Sequence, residues 1–298
     1  MKIKSVDFDE DLLKAQAEGS LVIFAGAGVS IGPPSNYPSF DKLVFEIAKW
    51  ARKEKQNGEP PERFLGRLDH ESFNVHQQVV KILTSPESKH NQLHENLLKL
   101  FRSPDRVRIV TTNFDSHFNS AALKVFDGKM PDVFKAPALP LGNDFSGIVY
   151  LHGSVEGDPK KLVLTDQDFG RAYLTEGWVT RFLLAMFSRY TVLFIGYSHE
   201  DAVMLYLSRG LPPRDTKPRF ALVKADENSP KWGYLGITPL PYPFEGETDH
   251  TYLSSAISSL VERSHLGALE IEKRIKEHVS GLPPSLDDES KDYLKWAI

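Results

Sequence analysis

Five short apolar runs, each followed by glycine or polar residues, constrain the fold of this chain more than any other feature. The first, Leu21–Ala25, is apolar at every position and is ended by Gly26. Such a run is typical of a strand buried on both faces of a parallel sheet. The remaining strands are predicted at 106–111, 147–151, 190–195 and 219–223.

Segments with helical periodicity alternate with these runs. Apolar positions three and four apart predict an amphipathic helix at 43–51, directly after the first strand and its glycine turn. Further helices are predicted at 71–84, 90–101, 114–125, 175–189 and 201–210. Strands that alternate with helices indicate an α/β fold with a Rossmann-like, doubly wound parallel sheet.

A polar stretch interrupts this pattern after the first helix. Residues 53–70 contain paired prolines, and we interpret them as a connection into a helical insertion at about 53–105. Near the other end, 236–243 (GITPLPYP) predicts an edge strand, because proline cannot donate a ladder hydrogen bond. Helices are expected at 251–263 and 266–279.

These boundaries predict the domain organisation. We expect one domain over 1–264, followed at 265–298 by a helical extension or linker. The amphipathic pattern restarts at 291–298 and stops abruptly, so we expect the natural protein to continue into a further domain.

Composition excludes several classes of protein. Lysine and arginine number 36 against 40 aspartate and glutamate, a net charge of -4, so no basic excess favours direct nucleic-acid binding. No apolar stretch approaches the roughly 20 residues that span a bilayer, and no signal peptide precedes the first strand. We therefore expect a cytoplasmic protein. The absence of cysteine excludes disulfides, thiolate zinc sites and cysteine nucleophiles.

The first predicted strand runs into a glycine turn. In FAGAGVS, Gly26 and Gly28 allow the backbone to approach a pyrophosphate closely. The dinucleotide pattern G-x-G-x-x-G fails at its sixth position, which is Ile31. A tight turn with a purely structural role is the alternative interpretation.

Polar side chains follow three later strands. Thr111, Thr112, Asn113 and Asp115 come after the second strand, where they could contact a ligand or cap a helix. His152 follows the third strand and could act as a general base, bind a ribose hydroxyl or be a structural histidine.

After the fourth strand, Gly196, Tyr197 and Ser198 offer a flexible backbone and a hydroxyl, or a turn into a capped helix. Two further histidines, His90 and His94, lie four residues apart on a predicted helix. They could bind a metal, but without an H-E-x-x-H glutamate we expect a solvated helix face.

Taken in order, these motifs resemble those of sirtuin-type domains. GAGVS, TTNFD, LHG and GYS are similar to the family's GAGxS, (S/T)xNxD, HG and GxS elements over about 21–263. Pro38, Ser39, Phe40 and Leu43 resemble an element of bacterial sirtuin-like defence proteins, a group that includes the NAD-consuming effector of Thoeris systems. The GITPLPYP segment with His250 and Leu253 is similar to that group's last strand and helix.

The resemblance implies that the chain binds NAD+ as a substrate. Asn113 and His152 would contact the nicotinamide ribose, and Asp115 would stabilise the positive charge that develops as nicotinamide leaves. The resemblance further implies that the remaining NAD-binding residues are Ala25, Gly26, Ala27, Gly28, Ser30, Phe40, Thr112, Gly196, Tyr197 and Ser198.

Two departures from the family argue against protein deacylation. Deacylases carry a four-cysteine zinc module, which a chain without cysteine cannot build, so we expect no zinc and no resident cofactor. They also carry an arginine after the aromatic residue, where this chain has Asp41 and Lys42 after Phe40. We therefore expect hydrolysis of NAD+ to nicotinamide and ADP-ribose, or a cyclised product.

Other functions remain as alternatives. A protein deacylase, a non-catalytic NAD or ADP-ribose sensor, and a dehydrogenase would each use the glycine turn. The dehydrogenase lacks a clearly placed acidic residue about 20 positions beyond the glycines, since Glu46 falls within a predicted helix. The family resemblance implies NAD depletion in abortive anti-phage defence, and we expect control by oligomerisation, a partner protein or a C-terminal sensor domain.

Overall fold

The computed structural model describes residues 1–197, 217–225, 231–244, 251–265, 275–276, 290–292 and 294. Within them, the strands are β1 (Lys2–Ile3), β2 (Val6–Asp7), β3 (Leu21–Ala25), β4 (Arg108–Thr111), β5 (Val133–Lys135), β6 (Gly147–Tyr150), β7 (Thr191–Ile195), β8 (Arg219–Lys224) and β9 (Thr238–Tyr242). The helices are α1 (Glu10–Ala17), α2 (Gly28–Ile31), α3 (Phe40–Ala51), α4 (Pro61–His70), α5 (Val75–Leu83), α6 (Gln92–Lys99), α7 (His117–Val125), α8 (Asp166–Phe169), α9 (Trp178–Arg189), α10 (Lys231–Tyr234) and α11 (Thr251–Ser264). Short 3-10 turns lie at Pro104–Arg106 and Pro159–Lys161, and a π-helical turn lies at Gly170–Thr175.

Seven strands form one parallel sheet in the order β5-β6-β4-β3-β7-β8-β9. Without the edge strand β5, this is the 3-2-1-4-5-6 order of the doubly wound Rossmann fold. The predicted fold class is therefore confirmed. The strand order reverses between β3 and β7, so the topological switch point lies beyond their carboxyl ends.

Alternate residues of the strands pack into two hydrophobic cores, one on each face of the sheet. Leu21 and Ile23 of β3 pack on one face with helices α1, α6, α7 and α11, whereas Val22 and Phe24 pack on the other face with α9. This alternation follows from the two-residue period of a strand. A third core joins α3, α4 and α5, which all belong to the long crossover from β3 to β4.

The longest helix that the sequence interpretation missed in the crossover is α4. Residues 61–70, expected to be part of a polar connection, form α4. Pro61 stands at the first helical position, where its fixed φ favours a helix start, and Phe64, Leu65 and Leu68 are buried on one face. The helix predicted at 71–84 is correspondingly shorter and begins at Val75, where the side chain of Asn74 caps it.

Other predictions are confirmed with shifted ends. The proline-containing segment forms β9, which lies at the sheet edge as expected. Several further elements were not predicted: the β1-β2 hairpin, the helices α1, α2, α8 and α10, and β5, whose three residues are only half-buried. Ser198, His250, the helix predicted at 201–210 and most of that predicted at 266–279 lie outside the described residues. No helix in the described part of the chain is both long and apolar enough to cross a membrane.

Candidate active site at the sheet switch point

The turn after β3 packs directly on the turn after β7. Gly26 N–H donates to the carbonyl of Ile195 at 2.9 Å, and Gly28 N–H donates to the carbonyl of Gly196 at 2.8 Å. A Cβ on Gly26 would lie 2.4 Å from the Gly196 carbonyl oxygen, and Gly196 itself has φ +64°. The glycines are therefore required by the contact between the two turns, whether or not a ligand is bound.

One backbone donor of this turn remains available. Ala27 is exposed, and its N–H has no hydrogen-bond partner among the described residues. Ala25 is fully buried, and its carbonyl accepts the Thr111 hydroxyl at 2.9 Å. The predicted binding residues of this turn thus divide into a structural part, which holds the strands together, and an exposed part.

A buried polar cluster lies between the turns after β3 and β4. Asn113 Nδ2 donates to the Gly26 carbonyl at 3.1 Å and to Ser30 Oγ at 3.2 Å. Ser30 Oγ donates to Asp115 Oδ2 at 2.8 Å, while Asp115 Oδ1 accepts from the His117 backbone amide at 3.0 Å. The structure therefore brings together Ser30 of the GAGVS motif with Asn113 and Asp115 of the TTNFD motif.

Burial controls the electrostatics of this cluster. Ser30 is 0% exposed and Asp115 is 2% exposed. Burial raises the pKa of Asp115 above its ordinary value, and the nearby His117 and the hydrogen bond from Ser30 oppose that rise. Burial lowers the pKa of His117, because it disfavours the charged form of that group as well. The carboxyl group is thus poorly solvated and responds strongly to any charge placed beside it.

His152 occupies the equivalent position on the neighbouring strand. β4 pairs with β6 in a register that sets Thr111 opposite Tyr150. Asn113 lies two residues after Thr111, and His152 lies two residues after Tyr150. Both residues therefore lie at the same distance beyond the paired strand ends. Their side chains nevertheless have different partners in this structure.

The imidazole of His152 lies among aromatic rings. Its Nε2 is 2.8 Å from the Tyr173 hydroxyl, and its ring contacts those of Phe114 and Phe169 at centroid distances of 6.5 and 5.3 Å. Among the described residues, no atom hydrogen-bonds its Nδ1. Burial lowers the pKa of His152 to about 4, so the ring is neutral at neutral pH.

The π-helical turn Gly170–Thr175 supplies Tyr173. Such turns often occur at functional sites because the extra residue redirects a side chain. Tyr173 was not predicted to belong to the site, since its segment carries no motif. Phe169, at the end of α8, stacks on its ring at a centroid distance of 5.8 Å.

The other predicted residues lie around this region. Phe40 begins α3 after the N-cap Ser39 and packs against the third core. Thr112 and Tyr197 are half-buried, and the Tyr197 ring packs edge-on against Phe24 at 5.4 Å. The positions of Gly196 and Tyr197 after β7 agree with a location at the switch point.

The expectation that His90 and His94 share a solvated helix face is wrong for His94. His94 is 0% exposed, and its Nε2 lies 3.1 Å from Ser30 Oγ. His90 instead contacts Ser120 Oγ at 2.9 Å and Glu95 Oε1 at 3.4 Å. The two imidazoles do not converge, and no cluster of three metal-ligating side chains occurs in the described part of the chain.

The chain is similar to proteins with sirtuin-like domains. Residues 107–239 match the SIR2-like domain family. The NAD(+) hydrolase ThsA of Bacillus cereus is 23% identical over 97% of this chain and 60% of its own length. Defense-associated sirtuin 2 of Bacillus subtilis is 24% identical over 66% of this chain and 20% of its own length.

Two further similarities were found. Protein y4cA of Sinorhizobium fredii is 28% identical over 98% of this chain and 27% of its own length. A solved chain from a structural study of the mechanism and regulation of Sir2 enzymes has 13% identity, covers 86% of this chain and 98% of its own, and has a TM-score of 0.45. The present chain spans about a fifth to three fifths of the length of these curated relatives. The predicted resemblance to sirtuin-like domains is confirmed.

Proposed function

We propose, on the premise that residues 107–239 carry a SIR2-like domain, that this chain binds NAD+ at the switch point of its sheet and hydrolyses it to nicotinamide and ADP-ribose. The observation that carries this proposal is the placement of Asn113 and His152. They follow adjacent, hydrogen-bonded strands at the same distance from paired positions. The relative named as an NAD(+) hydrolase supports the same activity.

NAD+ needs little acid catalysis, because its cationic nicotinamide leaves as a neutral molecule. The ribose then carries positive charge in an oxocarbenium-like transition state. Residues that orient the ribose and stabilise this charge are therefore sufficient. In this proposal Asn113 hydrogen-bonds the ribose and the attacking water. The nearby carboxyl of Asp115 stabilises the positive charge that develops on the ribose.

The protonation state of His152 suits this chemistry. A neutral imidazole places no positive charge beside the developing cation, and its nitrogen can accept a hydrogen bond from a ribose hydroxyl or from water. The burial that lowers its pKa to about 4 keeps it neutral at neutral pH. The proton released by the attacking water passes to solvent or transiently to this ring.

The diphosphate is assigned to the turn after β3. Since Gly26 N–H and Gly28 N–H already donate to the β7 turn, the free N–H of Ala27 is the backbone donor that we assign to a phosphate oxygen. Ser30, Phe40, Thr112, Gly196, Tyr197 and Ser198 complete the proposed binding residues.

Chromatography of NAD+ incubated with the purified chain, without any acyl peptide, tests the proposal. We expect nicotinamide and ADP-ribose to appear in equal amounts, and a cyclic product would identify an alternative nucleophile. Release that requires an acyl-lysine peptide would instead identify a deacylase. Binding of NAD+ without turnover would identify a sensor.

Matched variants test the residues. We expect N113A and H152A each to lower nicotinamide release by at least about a hundredfold, on the order of what a lost transition-state contact costs. The exposed residues Asn143 and His70 provide controls, and N143A and H70A should keep wild-type rates. Retained turnover in both site variants would refute the assignment.

The biological role is a second part of the proposal. Because two relatives are named for NAD+ hydrolysis and for defence, we propose that the chain depletes NAD+ during phage infection, under the control of oligomerisation or a partner. Cells expressing the wild-type chain should lose NAD+ after infection, whereas cells expressing N113A should not. Unchanged NAD+ in both strains during infection by a broad set of phages would contradict this role.

A further inference from the structure

His94 contacts the buried polar cluster from outside the recognised motifs. It lies in the first turn of α6, in the long crossover between β3 and β4. Its Nε2 is 3.1 Å from Ser30 Oγ. Because the Ser30 hydroxyl donates its only proton to Asp115, it accepts a hydrogen bond here from the Nε2–H of His94.

The start of α6 holds the turn after β3 at two points. Asn91, the N-cap of this helix, donates from Nδ2 to the Val29 carbonyl at 2.8 Å. His94 contacts the next residue, Ser30. The imidazole is itself fixed, because its Nδ1 accepts from the backbone N–H of Asn91 at 3.2 Å and its ring packs edge-on against Phe118 at 4.9 Å.

Ser30 connects His94 to the residues of the proposed reaction centre. Its Oγ contacts His94 Nε2, Asp115 Oδ2 and Asn113 Nδ2 within 3.2 Å. A hydroxyl oxygen with three partners has one favourable orientation. Loss of the His94 contact would leave Ser30 held by Asp115 and Asn113 alone, so the orientation of these three side chains would be fixed less tightly.

We propose that His94 is a positioning residue for NAD+ cleavage, which fixes Ser30 and, through it, the orientation of Asn113 and Asp115. This inference rests on the proposed function, because it assigns His94 a part in that reaction. His94 does not touch the substrate in this account. Its effect should therefore appear in the rate of cleavage more than in the affinity for NAD+.

Substitution of His94 by leucine removes both ring nitrogens from a fully buried position. We expect H94L to lower kcat for nicotinamide release about 10- to 100-fold, since small misplacements of reacting groups have effects of that order, with a smaller change in KM. H94Q keeps an amide that can reach Ser30 and should recover much of the rate. H90L is the matched control, because His90 contacts Ser120 and Glu95 instead, and it should keep the wild-type kcat.

A double-mutant cycle separates positioning from stability. In an S30A background H94L should lower kcat little further, because both changes break the same connection. Melting temperatures of all variants identify any loss of folding, and H94Q with S30A keeps the test available if H94L does not fold. A folded H94L with the kcat of H90L would overturn the proposal, as would equal losses in H94L and H94Q.

The wild-type chain separates this proposal from the proposed function. If wild-type protein releases no nicotinamide from NAD+, the proposed function fails and the positioning role fails with it. If wild-type and H94L proteins turn over NAD+ equally, only the positioning role fails.

Discussion

Burial and one hydroxyl partner determine the protonation state and the orientation of the His152 imidazole. His152 is 5% exposed, and the Tyr173 hydroxyl lies 2.8 Å from its Nε2. The placement of His152 after a strand was predicted from the sequence. Its protonation state was not, because that state depends on aromatic rings contributed by a distant segment. Tyr173 itself could not have been predicted, since it lies in an irregular turn without a motif.

The depressed pKa of His152 predicts a pH-dependent contribution to stability. Its folded-state pKa of about 4 lies below the ordinary 6.5, so the unfolded chain takes up the proton first as pH falls. The contribution is complete above about pH 6.5 and is lost progressively down to about pH 4, a change of about 3 kcal/mol. We expect the difference in free energy of unfolding between wild type and H152Q to fall by that amount in urea titrations from pH 7 to pH 4. A difference independent of pH would contradict the buried, neutral state.

The Tyr173 hydroxyl is predicted to orient His152. Y173F removes this partner while keeping the ring that stacks on Phe169. We expect nicotinamide release to fall about tenfold, because a lost hydrogen bond to a buried group costs about 1 to 3 kcal/mol. Tyr234 is 73% exposed, so Y234F serves as the control and should keep the full rate. Equal rates for the two variants would show that the hydroxyl has no role in cleavage.

At the scale of elements, contact between the turns after β3 and β7 decides which residues must be glycine. The strands that carry these turns were predictable, because β3 and β7 are apolar at nearly every position. The function of the glycines was predicted as ligand approach, yet the structure shows that protein backbone already fills this space. A sequence motif cannot distinguish these two causes, since both require a missing Cβ.

This contact predicts a sharp difference between two glycines. A Cβ at position 26 would lie 2.4 Å from a backbone oxygen, whereas one at position 32 would have no neighbour within 4 Å. We expect G26A to lower the free energy of unfolding by about 1 to 3 kcal/mol, the usual effect of overpacking, and to weaken NAD+ binding. G32A should change neither quantity. Urea unfolding and calorimetric titration with NAD+ measure both effects, and similar stability of the two variants would contradict the observed packing of the turns.

The limits of sequence interpretation at this scale have physical causes. α4 was missed because its polar residues and paired prolines resemble a connection, although Pro61 starts the helix and three apolar residues bury one face. His94 was placed on a solvated face because a helical period alone does not specify which side meets the sheet. The Ser30 contact that buries it is separated by 64 residues along the chain.

At the scale of the whole molecule, the sheet and its crossover both contribute side chains to the proposed site. The motifs correctly located the residues at the carboxyl ends of β3, β4, β6 and β7, because a parallel sheet gathers those ends at one edge. The crossover helices contribute contacts that no motif predicted. Examples are the contact of His94 with Ser30 and that of His76 Nε2 with Asp168 Oδ2 at 2.8 Å. The proposed enzyme therefore depends on its helical insertion as well as on the sheet.

The location of bound dinucleotide tests this account most directly. A crystal structure of the chain with a non-hydrolysable carbocyclic analogue of NAD+ would show where the molecule lies. We predict that its diphosphate contacts the turn at Ala27 and that its nicotinamide sugar lies between Asn113 and His152. An analogue bound elsewhere, or a sugar in contact with only one of these two side chains, would contradict the account.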